Sequence, residues 1–330
     1  MRCPFIGGCD GGLPRWCAFV SFSRSAKVLG TSLELAEVTY PTPLVRLHRL
    51  SAPDPHVTLW AKLEFYNPFS RSIKDRAAFS MLTNAIMRTG AKKFYEATSG
   101  NLGVALAALA AMYGVKFRAY VPRTASESAI GLMRLMGAEV IVHWADGVDD
   151  ELVEAARRDA DADGAVFLDQ YHNEDNPRGQ ETLVEELRSQ LLEAGLRPAA
   201  VVAGTGSLGH MTALGKLRDE MGFTLVAARP AEGERIPGLR RDWKRKMVAD
   251  VVVDVTLEES IEAAVAVARA EGLPVGISSG ATLAAARKAA RVIGRGDYVM
   301  IFPDDAIKYI EIFNKYIEGR EPPLQLYKGR

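Results

Sequence analysis

A lysine amine does covalent chemistry when it is held rigidly and kept partly uncharged. Lys74 sits in a stretch able to do both: Asn67-Pro68-Phe69-Ser70-Arg71-Ser72-Ile73-Lys74-Asp75-Arg76 follows a strand-like run at 58–65 and opens a helix. Read alone, Lys74 is more simply an ordinary surface lysine opening an amphipathic helix. Three further motifs change that balance. Thr98-Ser99-Gly100-Asn101-Leu102-Gly103 follows the strand-like Lys93–Ala97 and opens an alanine-rich helix. Its hydroxyls and amides suit either a helix N-cap or a receptor for a carboxylate. Gly204-Thr205-Gly206-Ser207-Leu208-Gly209-His210 joins a strand at 199–203 to a helix from about Met211. Glycines there let backbone amides approach a phosphate. The same spacing matches a dinucleotide loop, but the next strand, 224–228, ends at Arg229, where an acidic residue would hold a ribose. Arg229 leaves a phosphorylated dinucleotide such as NADP open, and a single phosphate is the simpler ligand. The last set is Gly276-Ile277-Ser278-Ser279-Gly280 ahead of a helix, then Phe302-Pro303-Asp304-Asp305 closing the final strand. Turn chemistry alone would explain either one.

These residues need a frame, and the chain supplies one. β-branched runs at 58–65, 93–97, 116–121, 139–143, 165–168, 199–203, 224–228, 251–255 and 298–302 alternate with apolar-periodic stretches at 102–112, 126–136, 178–192, 258–271 and 281–293. Such alternation predicts parallel sheets covered by helices on both faces. The polar stretch 172–176 with Pro177 reads as a crossover between two lobes. At 330 residues, 48% hydrophobic and 25% charged, the chain is globular and long enough for two domains. Lys plus Arg and Asp plus Glu balance at 41 each, so no basic excess draws it to nucleic acid or an anionic membrane. No apolar run reaches the ~18–20 residues of a membrane span. The three cysteines, Cys3, Cys9 and Cys17, all lie in the first seventeen residues, which excludes a thiol nucleophile from the body of the chain. They lack the close pairs of a zinc site, so no metal is expected. Residues 1–30 read as a disordered or misassigned extension.

Taken in order, these motifs resemble the fold-type II pyridoxal-phosphate enzymes, and among them the cysteine synthases. The likeness runs from Thr42-Pro43-Leu44-Val45-Arg46-Leu47 to Tyr309. The stretches Gly209-His210-Met211-Thr212 and Pro230-Ala231-Glu232-Gly233-Glu234-Arg235-Ile236-Pro237-Gly238-Leu239-Arg240-Arg241 look like those of the archaeal O-phosphoserine sulfhydrylases. The resemblance implies a two-lobed α/β fold of three-layer α/β/α open sheets, the tryptophan synthase β and cysteine synthase type. Residues 31–67 and 173–330 would form the larger lobe, and 68–172 a smaller, mobile one. It implies that Lys74 binds pyridoxal phosphate and shuttles the α-proton, that Asn101 meets the ring hydroxyl, and that Gly206, Ser207, Leu208, Gly209 and His210 cup the phosphate. Thr98, Ser99, Gly100 and Gln170 would grip the substrate carboxylate, and Arg240 the substrate's phosphate. Asp305 aligns with the serine or threonine that usually lies beside the pyridine nitrogen, a departure that would strengthen the electron sink if the carboxylate is ionised, or else place a neutral acid there as a hydrogen-bond donor. A register one residue off would put Asp304 there instead. The implied activity is cysteine formation from O-phosphoserine or O-acetylserine and sulfide, in a cytoplasmic homodimer. Cystathionine β-synthase and serine/threonine deaminase are the rivals within the fold; a non-catalytic relative would have no use for Lys74.

Overall fold

The computed structural model describes residues 29–51, 56–242, 245–318 and 320. Cys3, Cys9 and Cys17, and nearly all of the expected extension over 1–30, lie outside the described residues. The chain divides into two units at Val38/Thr39. In the first, the Gly30 amide donates to Glu34 Oε2 at 2.9 Å, closing the 3-10 turn Ser32–Glu34.

From Thr39 onward the strands form two sheets. The larger runs β1 (Leu44–Arg46), β2 (Val57–Leu63), β10 (Gly296–Phe302), β7 (Ala200–Gly204), β8 (Thr224–Pro230) and β9 (Val251–Val255), parallel except for the β1–β2 pair. The smaller runs β5 (Glu139–His143), β4 (Lys116–Pro122), β3 (Lys93–Ala97) and β6 (Val166–Phe167), all parallel. Strand side chains alternate between faces, and the core divides accordingly. Ala200, Val202, Tyr298, Met300 and Phe302 face one apolar cluster with the helices Leu257–Glu271 and Ile277–Ile293. Val201, Ala203, Val299 and Ile301 face another, with Glu181–Glu193 and Gly209–Met221. A sheet buried on both faces explains why β7 and β10 read as unbroken apolar runs.

Register brings the strand ends together. Phe302 pairs with Leu63, and Met300 with Val202, so β2, β10 and β7 finish at one edge of the sheet. The loops leaving that edge carry the lysine run, the aspartate pair and the glycine turn. Ligands of open parallel sheets bind at such carboxyl ends.

Several elements differ from their sequence reading or were not foreseen in it. β1 has only three residues, too short to show alternation. The strand expected to reach Phe65 stops at Leu63, because Glu64–Tyr66 is a 3-10 turn. The stretch 178–192 belongs to two helices, Asp175–Gly179 and Glu181–Glu193, so the expected crossover at 172–177 is itself partly helical. The last major helix begins at Ile277, so Ile277-Ser278-Ser279-Gly280 forms its first turn instead of a loop ahead of it.

Candidate active site

Lys74 is the first residue of the helix Lys74–Thr89, whose N-cap, Ile73, provides no side-chain cap. The preceding loop is pinned by other means. Buried Asp75 accepts from the Phe69 amide at 2.7 Å and the Ser70 amide at 2.9 Å, and Lys308 Nζ donates to the Ser70 carbonyl at 2.9 Å. Burial pushes the Asp75 carboxyl up to about 6, against the pull of those hydrogen bonds. The Ile73 amide donates to the Pro303 carbonyl at 2.8 Å, tying the lysine to the end of β10. Lys74 keeps part of its side chain open to solvent. Its surroundings still desolvate the amine and lower its pKa to about 8, with Asp304 opposing.

The amine points at the glycine turn. A Cβ placed on Gly206 would stand 3.8 Å from Lys74 Nζ and 3.1 Å from the Gly238 carbonyl oxygen. Leu208, left-handed at φ 61°, ends that turn, and the helix Gly209–Met221 starts immediately after it. The first amides of a helix have no partners within it, so the turn presents donors to an anion. Asn176 buttresses the turn: its Nδ2 donates to Ser207 Oγ at 3.0 Å and to the Gln170 carbonyl at 2.7 Å. Burial of His210 and repulsion by Lys74 lower its pKa to about 3, against a hydrogen bond with the Gly204 backbone, so it is neutral at ordinary pH.

The third side of the site is the loop after β3. Thr98 Oγ1 accepts from the Gly100 and Gly103 amides, both at 3.2 Å. Its hydroxyl thus takes up one free amide in the first turn of the alanine-rich helix Asn101–Tyr113, but the N-cap itself is Gly100, which offers no side-chain cap, so the motif is not a simple N-cap. Ser99 is exposed, and Gly100, at φ 157°, is buried. Gln170 is buried, with Nε2 donating to the Ala97 carbonyl at 2.8 Å. Asn101 Nδ2 donates to Asp304 Oδ2 at 2.6 Å, and the Tyr309 hydroxyl donates to the same oxygen at 2.6 Å. Burial raises both the Asp304 and the Tyr309 pKa.

The two aspartates separate. Asp304 meets Asn101 and bears on Lys74, whereas Asp305, also buried, pairs with Arg71. The residue that aligns with the usual serine or threonine is thus turned to a guanidinium, and its neighbour carries the carboxylate beside Lys74 and Asn101. The sequence reading assigns no role to Asp75, Asn176, Lys308 and Tyr309. Asp75 works on amides of its own loop, which no side-chain pattern marks; Asn176 and Lys308 act on partners distant in the chain, and Tyr309 reaches back to Asp304 from beyond the motif that holds it. Arg240 lies half-buried, with its Cζ 4.7 Å above the Tyr171 ring. Arg229, the cation that a phosphorylated dinucleotide would have needed, lies within β8 and pairs with Asp254, Nη2 to Oδ2 at 2.9 Å.

One atom tests whether this set fits a pyridoxal phosphate. Asn101 Oδ1 is buried and has no hydrogen-bond partner among the described residues. Next to an amine of depressed pKa and a helix-opening glycine turn, such an acceptor suits a ring hydroxyl, and the three groups match the cofactor's hydroxyl, aldehyde and phosphate.

Comparison with known proteins agrees. The family described as "Pyridoxal-phosphate dependent enzyme" matches residues 35–304. Cysteine synthase B of Escherichia coli is 38% identical over 210 residues, 61% of this chain and 66% of that protein. Cysteine synthase B of Pseudomonas aeruginosa is 34% identical over 224 residues, 66% of this chain and 73% of that protein. The chain thus spans about two thirds of the length of these relatives. Among solved structures, an O-ureido-L-serine synthase superposes with a TM-score of 0.80 at 27% identity, covering 89% of this chain and 98% of that one. An O-acetylserine dependent cystathionine beta-synthase from Helicobacter pylori gives a TM-score of 0.77 at 26% identity, covering 87% and 98%. This chain belongs to the pyridoxal-phosphate dependent enzymes of fold type II, within the cysteine synthase family.

Proposed function

We propose that this protein makes L-cysteine by β-replacement, exchanging the phosphate of O-phospho-L-serine for sulfide. The observation that carries the reading is the convergence of a partly neutral Lys74 amine, the Gly206 turn and the unpartnered Asn101 oxygen. Bound to Lys74, pyridoxal phosphate supplies an electron sink that acidifies the substrate's α-proton and lets a β-substituent leave. The protein's own residues do the rest. Gly206 to His210 hold the cofactor phosphate, and Asn101, fixed by Asp304, orients the ring through its hydroxyl. Thr98, Ser99, Gly100 and Gln170 receive the substrate carboxylate, with Gln170 held in place by its bond to the Ala97 carbonyl. Lys74 removes the α-proton and returns it after sulfide has added, a role suited to an amine with a pKa near 8. The neutral His210 adds no competing positive charge beside it. Arg240 reads the departing phosphate, since a planar guanidinium matches a dianion in two-pronged fashion. The likeness of 209–212 and 230–241 to the O-phosphoserine-using enzymes supports that donor. We also infer a cytoplasmic homodimer in which 68–172 moves as the smaller lobe.

The test is cysteine formation from O-phosphoserine and from O-acetylserine, each with sulfide, alongside ammonia and pyruvate release. R240A should lose phosphoserine turnover by an order of magnitude or more, as loss of a charge-assisted pair implies, while acetylserine turnover stays near wild type. Equal loss on both donors removes Arg240 from donor choice. Ammonia release without cysteine would instead favour a deaminase, and sulfide-independent product with homocysteine a cystathionine synthase.

A further inference from the structure

Tyr171 has no part in the chemistry above, yet it is a buried phenol one residue beyond Gln170. Its ring lies beneath the Arg240 guanidinium, at 4.7 Å from Cζ to centroid. The two residues are anchored on different sheets. Arg240 is fixed at its backbone to the glycine turn, its amide donating to the Thr205 carbonyl and its carbonyl accepting from Thr205 Oγ1 at 2.7 Å. Tyr171 packs with Tyr95, Ala97 and Tyr120 of the four-stranded sheet. Burial raises its pKa, against the Arg240 charge and a side-chain hydrogen bond from Arg240, so the phenol is neutral and holds the cation by its ring face and its oxygen. A free arginine spreads over many rotamers, and ordering it on binding costs affinity. Stacking on a buried ring removes that spread beforehand, so a planar guanidinium is ordered before an anion arrives.

The geometry points to Tyr171 as the positioning residue that presents Arg240 to a phosphate monoester on the substrate's β-carbon. Its neighbour Gln170 serves the carboxylate end of the same molecule. Adjacent Gln170 and Tyr171, in the turn after β6, then serve opposite ends of one substrate. This inference rests on the proposed reading of Arg240.

The experiment compares steady-state kinetics of the holoenzyme and its variants on O-phosphoserine and O-acetylserine. Y171L should raise KM for O-phosphoserine about fivefold or more, the range of a partly desolvated cation–π contact, and leave kcat and the acetylserine KM close to wild type. Y171F keeps the ring face and removes only the hydroxyl's bond to Arg240, so it should recover most of that loss. In an R240A background Y171L should add nothing to the phosphoserine KM. Y171M, which fills similar volume without a ring face, replaces Y171L if the latter does not fold. A Y171L or Y171M effect that is equal on the two donors, or that Y171F shares in full, overturns the positioning role. If R240A itself leaves the ratio of the two KM values unchanged, the phosphate reading fails first, and the outcome is distinguishable from a failure at Tyr171 alone.

Discussion

Lys74 and His210 are bases set around one glycine turn, and burial drives both toward their neutral forms. Their pKa shifts become statements about stability. The unfolded chain takes up a proton on histidine near pH 6.5, whereas folded His210 refuses it until about 3. Stability from His210 is therefore present above about 6.5 and is lost as pH falls toward 3. For Lys74 the window is alkaline. Between about 8 and 10.5 the unfolded chain holds a proton that the folded site has released, so the cofactor-free protein gains stability as pH rises through that range. Urea denaturation of cofactor-free protein across pH 7–11 checks this, with K74M expected to flatten the alkaline rise. An unchanged slope in K74M would show that the amine is solvated. At this scale position was legible in the sequence: Lys74 and Asn101 open helices and the glycine turn joins a strand to a helix, as their motifs implied. The aspartates were not, because adjacent residues at a strand end point in different directions, and only the partners Arg71 and Asn101 distinguish them.

Strands were read more faithfully than the turns between them. Lys93–Ala97, Glu139–His143 and Val251–Val255 match their runs to the residue, since a run of aromatic or β-branched residues is a local property. The start at Ile277 was missed, because serines and glycines are poor helix formers and the turn is set by contacts elsewhere. The Gly276 amide donates to the Asp304 carbonyl at 2.9 Å, and Ser279 Oγ donates to that oxygen at 3.2 Å. Gly280 belongs to the same logic. A Cβ there would lie 1.9 Å from the Ser260 carbonyl oxygen and 2.7 Å from the Ala264 nitrogen, so the helices Leu257–Glu271 and Ile277–Ile293 touch backbone to backbone. G280A should destabilise by about 1–3 kcal/mol or more, as overpacking does. Gly131 is the control: it sits inside the helix Glu127–Leu135, and nothing lies within 4 Å of the added carbon. G131A should be neutral or stabilise by up to about 1 kcal/mol. Thermal melts of the two variants decide it, and a silent G280A would mean that the two helices can part freely.

Beneath the site, a buried ion network joins parts of the chain that no local pattern relates. Arg76, two residues past the lysine, donates through Nε to Glu64 Oε2 at 2.7 Å and through Nη1 to Glu186 Oε1 at 2.7 Å. Lys62 Nζ closes the set on Glu186 at 2.8 Å and on the Thr42 carbonyl at 2.6 Å. Lys62, Glu64 and Arg76 are nearly inaccessible, so each charge depends on its partner. Arg76 and Lys62 hold the Glu64 carboxyl below the usual range although burial opposes them. E64Q should cost on the order of 3–5 kcal/mol, because it leaves the Glu186 carboxylate alone to balance two buried cations, Arg76 and Lys62. The exposed pair Lys216–Glu181 should give no more than about 1 kcal/mol when broken by E181Q. Chemical denaturation compares them, and similar losses would mean that water reaches the network. The alternation of strands and helices, the sheet class and the motifs of the site were written in the sequence, because each depends on residues within a dozen positions of one another. Which atoms meet was decided by the tertiary structure alone. Lys74 faces Gly206 and Asn101 reaches Asp304 only because β2, β7 and β10 end in register at one edge, and hydrogen bonding between strands distant in the chain sets that register.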